Sequence, residues 1–184
     1  MSALLPLWAE RDLEAPLAWR AGGPISARQF LADVASLAAR LPAEARIVNL
    51  CADRYRFAVA LAASWSRGLL CLLPPNALPE TLANLDGGGL PLCALIDDAD
   101  AVIASMPVLR VDAPQPGDVV AVPRLPADAE VACLLTSGST GQPQPHAKRW
   151  GALMRNIAAE ADRLAQMLQR PDLQGLTLVA SVQP

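Results

Sequence analysis

Six consecutive small residues, Thr136 to Gly141, carry four hydroxyl groups and two glycines. The apolar run Val131 to Leu135 precedes them and predicts a buried strand. After a turn that contains proline, a helical pattern resumes near Ala147. Glycine lets a backbone approach a ligand closely, while the amides and hydroxyls of such a loop supply hydrogen-bond donors. A strand, this loop and a helix in that order indicate a phosphate-binding loop, and an ordinary polar turn is the alternative.

Two other motifs built from small residues are excluded. The P-loop of nucleotide triphosphatases requires a Gly-Lys pair, and the chain contains none. The nucleophile elbow G-x-S-x-G requires glycine on both sides, but Ser137 and Gly141 flank Ser139. The single histidine, His146, is too near Ser139 in sequence to be paired with it as a base. The sequence therefore does not favour serine hydrolysis.

The loop resembles the signature T-S-G-S-T-G-x-P-K-G of adenylate-forming enzymes, which include acyl-CoA synthetases, peptide-synthetase adenylation domains and luciferases. The family lysine falls on Gln144 and the following glycine on Pro145, and the nearest lysine is Lys148. The run P-x-P-H-x-K before Trp150 resembles a subgroup of acyl- or aryl-CoA-ligase-like proteins associated with aryl-polyene pigment clusters. The residues that match the signature without a gap are Thr136, Ser137, Gly138, Ser139, Thr140, Gly141, Gln142 and Pro143.

This resemblance implies a protein that activates a carboxylic acid with ATP and Mg²⁺. An acyl-AMP forms first, and the acyl group then passes to CoA or to the phosphopantetheine thiol of an acyl carrier protein. The matched loop, residues 136–143, would hold the β- and γ-phosphates, and Lys148 would reach them from the start of the following helix. A solvated first-turn lysine is the alternative for Lys148. The resemblance assigns no catalytic residue or metal ligand on this chain.

The elements before the loop predict an α/β fold, a mostly parallel sheet with helices on both faces. Ser26 and Gln29 form a capping box at the start of an amphipathic helix that Pro42 ends. The strand Arg46 to Cys51 precedes a largely apolar helix that Asp53 caps and Gly68 stops. A second strand follows, so this stretch predicts a βαβ unit. This second strand is Leu69 to Leu73, and the other predicted strands are Cys93 to Ile96, Val108 to Val111 and Leu176 to Val182.

Three further segments of the prediction are an acidic cluster, a linker and the helix after the loop. Asp97, Asp98 and Asp100 could mark a metal site, but a solvated acidic turn is favoured because no other ligand flanks them. A proline-rich linker is expected at about residues 113–128. The helix after the loop is expected to run to about Gln169. Its apolar positions are expected to be core, namely Leu153, Met154, Ile157, Ala158, Ala161, Leu164, Ala165 and Leu168.

Composition sets the class of the protein. The 184 residues are 53% hydrophobic and 18% charged, with a net charge of −3 and a pI near 5.1. This indicates a globular chain without the basic footprint of a nucleic-acid-binding protein. No apolar run has the length of a membrane span and no signal peptide is apparent, so a cytoplasmic location is expected. The four cysteines show no C-x-x-C spacing and are interpreted as free, buried thiols.

The resemblance covers residues 1–184 as the N-terminal portion of an adenylation domain, whose family members are much longer. The chain alone is therefore expected to be catalytically silent, to expose an apolar patch and a strand edge, and to self-associate. Two alternatives remain open at this point. One is a non-catalytic relative of the same fold, and the other is a stand-alone interaction domain.

Overall fold

The computed structural model describes residues 2–8, 12–98, 103–111, 121–137 and 143–177. The helices in these ranges are α1 (Ala27–Arg40), α2 (Arg54–Ser66), α3 (Pro79–Ala83) and α4 (Trp150–Met167). The strands in the same ranges are β1 (Leu4–Pro6), β2 (Pro16–Arg20), β3 (Gly23–Ser26), β4 (Arg46–Asn49), β5 (Cys71–Leu73), β6 (Leu92–Ile96), β7 (Val108–Arg110), β8 (Arg124–Pro126), β9 (Glu130–Ser137) and β10 (Pro143–Arg149).

A six-stranded sheet forms the centre of the fold, in the order β10-β9-β5-β4-β6-β7. The strands from β9 to β7 in this order are parallel, and β10 joins the edge antiparallel to β9. In the middle, Ile47 pairs with Cys71 on one side and with Cys93 on the other. Two small antiparallel sheets, β1-β8 and β2-β3, lie outside it. The predicted mostly parallel sheet is confirmed.

Helices α1 and α2 begin where the sequence predicts. Ser26 accepts a hydrogen bond from the Gln29 backbone N–H at 3.2 Å, and Asp53 accepts one from Arg56 N–H at 2.9 Å. These caps satisfy backbone donors that lack partners within the helix. Gly68 follows α2 with a φ of 70°, a conformation that favours glycine.

Helices cover both faces of the sheet. The larger core lies between one face and helices α1 and α2, and includes Phe30, Val34, Ile47 and Leu95. On the other face, Leu82 of α3 packs with a smaller core formed by Val48, Leu72, Ala94, Met106 and Cys133. All four cysteines are buried and free, as predicted.

The predicted linker at about 113–128 is wrong for its last part. Arg124–Pro126 forms β8 and pairs with β1, Leu5 lying opposite Leu125. Leu125 is buried against Val131 and Trp150, so this segment belongs to the packed structure. The prolines of this segment favoured a linker in the prediction, but proline is also compatible with short edge strands. Residues 113–120 of the prediction lie outside the described residues.

The helix after the loop differs from the prediction in its start and its burial. It begins at Trp150, and Ala147 lies in β10. Trp150 is buried beside Trp65, their ring centroids 5.5 Å apart. The expected core stripe is confirmed in part, since Leu153 and Met154 pack against the core around Trp150 and Ala165 is buried. The prediction is wrong for Ile157, which is 57% exposed, and for Leu168, which is 52% exposed. The amphipathic pattern is present, but no described element packs along most of its apolar side.

The expected apolar patch is therefore present on α4. Among the described strands, β10 pairs only with β9, so one of its edges has no described partner. Most of the strand predicted at Leu176 to Val182 lies outside the described residues. Self-association of the chain stays a prediction.

Candidate functional site

The hydroxyl- and glycine-rich segment joins the two strands of a hairpin. Ser137 at the end of β9 pairs with Pro143 at the start of β10, and Thr136 pairs with Gln144. The predicted order of strand, loop and helix is corrected to strand, loop, strand and helix. Gly138, Ser139, Thr140, Gly141 and Gln142 lie outside the described residues, as do the side chains of the four paired positions named above. The phosphate-binding prediction for this loop consequently stays a prediction.

The sheet sets the position of the strand end that precedes the loop. Because β9 runs parallel to β5, and β5 parallel to β4, their carboxyl ends share one edge of the sheet. Ser137, the last residue of β9, lies at that edge. Ligands of open α/β sheets usually bind outside the carboxyl ends of the strands. Ser137 and its partner Pro143, which flank residues 138–142 in the sequence, therefore lie on the side of the sheet where binding sites are common.

The N-terminus of α2 lies at the same edge and is already occupied by a carboxylate. Asp97, which follows β6, accepts hydrogen bonds from the backbone N–H groups of Ala52 at 3.0 Å and Asp53 at 2.6 Å. Arg56 Nη1 donates to the Asp97 carbonyl oxygen at 3.2 Å. Asp97 therefore fills a position that would otherwise suit an external anion.

This finding corrects the interpretation of the acidic segment as a solvated turn. Asp97 ties β6 to the start of α2, while Asp100 lies outside the described residues. Among the described residues no group of three or more metal-ligating side chains could hold a metal ion. The sequence offers no signal for the Asp97 contacts because the partners are more than forty residues apart.

A polar network continues from Asp53 towards α1. Arg20 donates to both carboxylate oxygens of Asp53 at 2.8 Å, and its guanidinium carbon lies 5.2 Å from the Tyr55 ring centroid. Tyr55 Oη donates to Asp33 at 2.5 Å. Burial, followed by the hydrogen bond to Asp33, raises the pKa of Tyr55. This network fixes the β2-β3 hairpin and α1 to α2, and sequence reasoning missed it.

Lys148 does not lie at a helix start. It is in β10 opposite Ala132, five residues from Pro143, and strand geometry separates the two Cα atoms by roughly 17 Å. That part of the prediction is wrong, because the hairpin continues to Arg149 before α4 begins. Gln144, where the family has lysine, pairs with Thr136 next to the loop. Contact between Lys148 and a phosphate remains untested.

A wide apolar groove of about 960 Å³ lies between α2, α4 and the β2-β3 hairpin. Trp8 and Trp65 contribute buried indole N–H groups that have no hydrogen-bond partner among the described residues. Trp150 differs, because its Nε1 donates to the Leu5 carbonyl at 3.3 Å. The groove continues onto α4 at Leu153 and Ile157.

Comparison with known proteins gives a structural answer only. A scan of protein-family models finds no match, and a search of the curated proteins finds none either. Solved structures do match. A malonyl-CoA ligase in a ternary product complex with methylmalonyl-CoA and AMP is 18% identical, with a TM-score of 0.63 over 88% of this chain and 34% of its own.

Two further solved structures show the same likeness. The o-succinylbenzoate CoA synthetase MenE from Bacillus subtilis, in complex with AMP, is 16% identical, with a TM-score of 0.57 over 86% of this chain and 42% of its own. The NpsA N-terminal subdomain from Klebsiella oxytoca, in complex with 3-hydroxybenzoyl-AMSN, is 22% identical, with a TM-score of 0.51 over 68% of this chain and 34% of its own.

The chain thus spans about a third to two fifths of the length of these structures. No described helix combines the length and apolar character needed to cross a membrane. The mixed sheet and its helices have the fold of the N-terminal subdomain of adenylate-forming ligases.

Proposed function

We propose that this chain is the phosphate-binding part of an ATP-dependent carboxylic acid ligase that forms an acyl-adenylate and then a thioester. The observation that carries the proposal is the segment Thr136 to Pro143, which matches the adenylate-forming signature and joins two paired strands at the carboxyl edge of the sheet. The similarity of the fold to acyl- and aryl-activating ligases supports it.

The role of the loop in this proposal is electrostatic. Its backbone amides and hydroxyls hold the β- and γ-phosphates of ATP while the substrate carboxylate attacks the α-phosphorus. The bond from that phosphorus to the bridging oxygen breaks, and pyrophosphate leaves. Donors fixed before the reaction stabilise the charge of the leaving group. Mg²⁺ would neutralise part of the phosphate charge, and no cluster of metal-ligating side chains for it occurs among the described residues.

The thioester step and its acceptor complete the proposal. CoA or the phosphopantetheine thiol of an acyl carrier protein attacks the acyl carbon of the adenylate, and AMP leaves. The malonyl-CoA ligase structure contains methylmalonyl-CoA and AMP, the products of such a step in that protein. A cytoplasmic location would accord with these soluble substrates.

Pyrophosphate exchange in the complete gene product tests the loop. Gly138→Val adds bulk where a phosphate must approach the backbone, so we expect exchange to fall by about 10²-fold or more, the scale of losing a preorganised oxyanion contact. Gly22→Val is the matched control, because a Cβ at Gly22 would meet no atom within 4 Å. Unchanged exchange in the Gly138 variant would contradict the assignment.

A second candidate is a non-catalytic relative of the same fold, and Gln144 favours it. The family signature has lysine at this position, next to the loop, and glutamine supplies no positive charge. Calorimetric titration of the complete, unsubstituted protein with ATP separates the candidates. An adenylating enzyme binds ATP and exchanges pyrophosphate, whereas a relative that has lost ATP use does neither.

A further inference from the structure

A cavity of about 320 Å³ lies on the face of the central sheet that α3 covers. Leu72, Cys133 and Leu135 line it from neighbouring strands, and Pro145 of β10 lines it at the sheet edge. The segment from Thr81 to Gly88 supplies further lining residues. The volume lies at the lower end of the usual range for ligand cavities, about 300–1,000 Å³, so it suits a small molecule.

One cation lines this mostly apolar cavity. Arg46, the first residue of β4, is half-buried, and a Cβ atom at Gly88 would lie 3.8 Å from its Nη2. The Arg46 side chain makes neither a hydrogen bond nor an ion pair with any residue in the described ranges. A partly desolvated cation that forms no ion pair is unfavourable, and an anion bound directly against its guanidinium would relieve that cost.

The other polar lining groups already have partners. Thr81 Oγ1 donates to Asn76 Oδ1 at 2.7 Å, and Asn84 Nδ2 donates to the Glu80 carbonyl at 2.8 Å. Asp86 Oδ1 accepts from the Gly88 backbone N–H at 2.7 Å. Arg46 is therefore the lining group most in need of an added partner.

The charge of Arg46 acts inside the cavity. Burial raises the pKa of the Cys133 thiol, whereas the positive charge of Arg46 lowers it. The carboxylate of Asp86 also lines the cavity and would repel a ligand that carries several negative charges. A single negative charge beside an apolar body fits this combination better than a phosphate does.

We propose that this cavity binds a small monocarboxylate, with its carboxylate on Arg46 and its apolar body against Leu72 and Leu135. A guanidinium pairs with a carboxylate in a two-pronged geometry that a neutral amide cannot reproduce. An aromatic ring or a short branched chain suits the apolar lining. The proposed carboxylate position is separate from the phosphate loop, because Arg46 is the first residue of β4, at the amino end of the parallel strands, whereas Ser137 ends β9 at their carboxyl end.

Calorimetric titration of the chain with benzoate tests the proposal, and benzamide serves as the neutral isostere. We expect benzoate to bind at least about tenfold more tightly than benzamide, because a charge-assisted pair is roughly twice as strong as a neutral hydrogen bond. Absence of benzoate binding at millimolar concentration, or equal affinity for the two compounds, would overturn it.

Arg46→Met retains the length and apolar character of the side chain but removes its charge. We expect this variant to lose at least about tenfold in benzoate affinity. Arg155→Met is the matched control, because Arg155 is exposed on α4 and does not line the cavity. Equal affinities in both variants would overturn the proposal. If Arg46→Met fails to fold by circular dichroism, the benzoate–benzamide comparison on the unsubstituted chain decides it.

Discussion

Two units of this molecule differ in how far their side chains are buried and paired within the chain. In the unit built from β4, α2 and β6, Asp53 and Asp97 both have partners within the chain, and Ile47 is completely buried. In the unit built from β9, β10 and α4, the helix exposes Ile157, and β10 forms an edge of the central sheet.

The difference separates structural residues from those available for binding. The carboxylates of Asp53 and Asp97 have partners within the first unit, so an external ligand at the start of α2 would have to displace Asp97. The second unit carries the hydroxyl-rich segment at its turn and an apolar helix face without a described partner. The sequence signal for chemistry thus lies in the unit whose apolar helix face has no described partner.

Truncating one isoleucine in each unit should give the largest contrast. Ile47→Ala leaves a cavity at a fully buried position and should lower the free energy of unfolding by about 2–5 kcal/mol. Ile157→Ala removes an exposed side chain and should change it by less than about 0.5 kcal/mol. Urea unfolding with linear extrapolation measures both values.

Protein concentration is the control for that comparison. If the α4 face is covered by a second copy of the chain, the loss for Ile157→Ala will grow with concentration, whereas the loss for Ile47→Ala will not. Here the packed unit is β4, α2 and β6, and the open unit is β9, β10 and α4. Similar losses of unfolding free energy for both variants at every concentration would contradict this division.

Helix α1 and the unit of β4, α2 and β6 could largely be predicted from the sequence because their signals are local. Phe30, Val34 and Leu37 recur at helical spacing, and Asp53 and Gly68 mark the two ends of α2. The contacts that fix these elements to one another could not be predicted. Arg20 and Asp53 are 33 positions apart, and nothing in the local pattern brings them together.

The open unit was harder to predict, because its edge strand contains prolines and its helix lacks a described packing partner. Pro143 and Pro145 argue against a strand in an ordinary pattern, yet both lie in β10, an edge strand where proline is tolerated. The apolar residues of α4 recur with the period of a core helix, but this periodicity does not reveal whether another element packs against them. The loop signature was read from residue identity, and its ligand contacts remain to be measured.

The stability of the chain at alkaline pH should depend on its buried cysteines and can be compared between the two units. Burial raises the pKa of both Cys51 and Cys71 to about 12. Between the ordinary value of 9.0 and about 12, the folded chain binds more protons than the unfolded chain, so stability should fall as the pH rises. The slope is about 1.4 kcal/mol per pH unit for each such thiol. Urea unfolding between pH 8 and pH 11 measures it.

Replacing one cysteine in each unit supplies the control. Cys71→Ala should reduce the alkaline slope, because the thiol of Cys71 lies in the large core. Cys133→Ala should reduce it less, since the His146 backbone N–H and the charge of Arg46 both oppose the effect of burial on the pKa of Cys133. Equal reductions of the alkaline slope in the two variants would show that burial raises the thiol pKa equally in both units, which would contradict this prediction.

The smallest expected effect concerns Lys148, which the sequence places near the phosphates and the structure places along β10. Its Cα lies roughly 17 Å from that of Pro143, beyond the screening length of about 8 Å at physiological salt. Lys148→Ala should therefore change pyrophosphate exchange in the complete gene product by no more than about twofold, as should Arg149→Ala. Measurement of the ATP concentration for half-maximal exchange decides the matter. A large rise for Lys148→Ala alone would restore Lys148 as the substitute for the family lysine and would require the bound phosphates to extend along the hairpin.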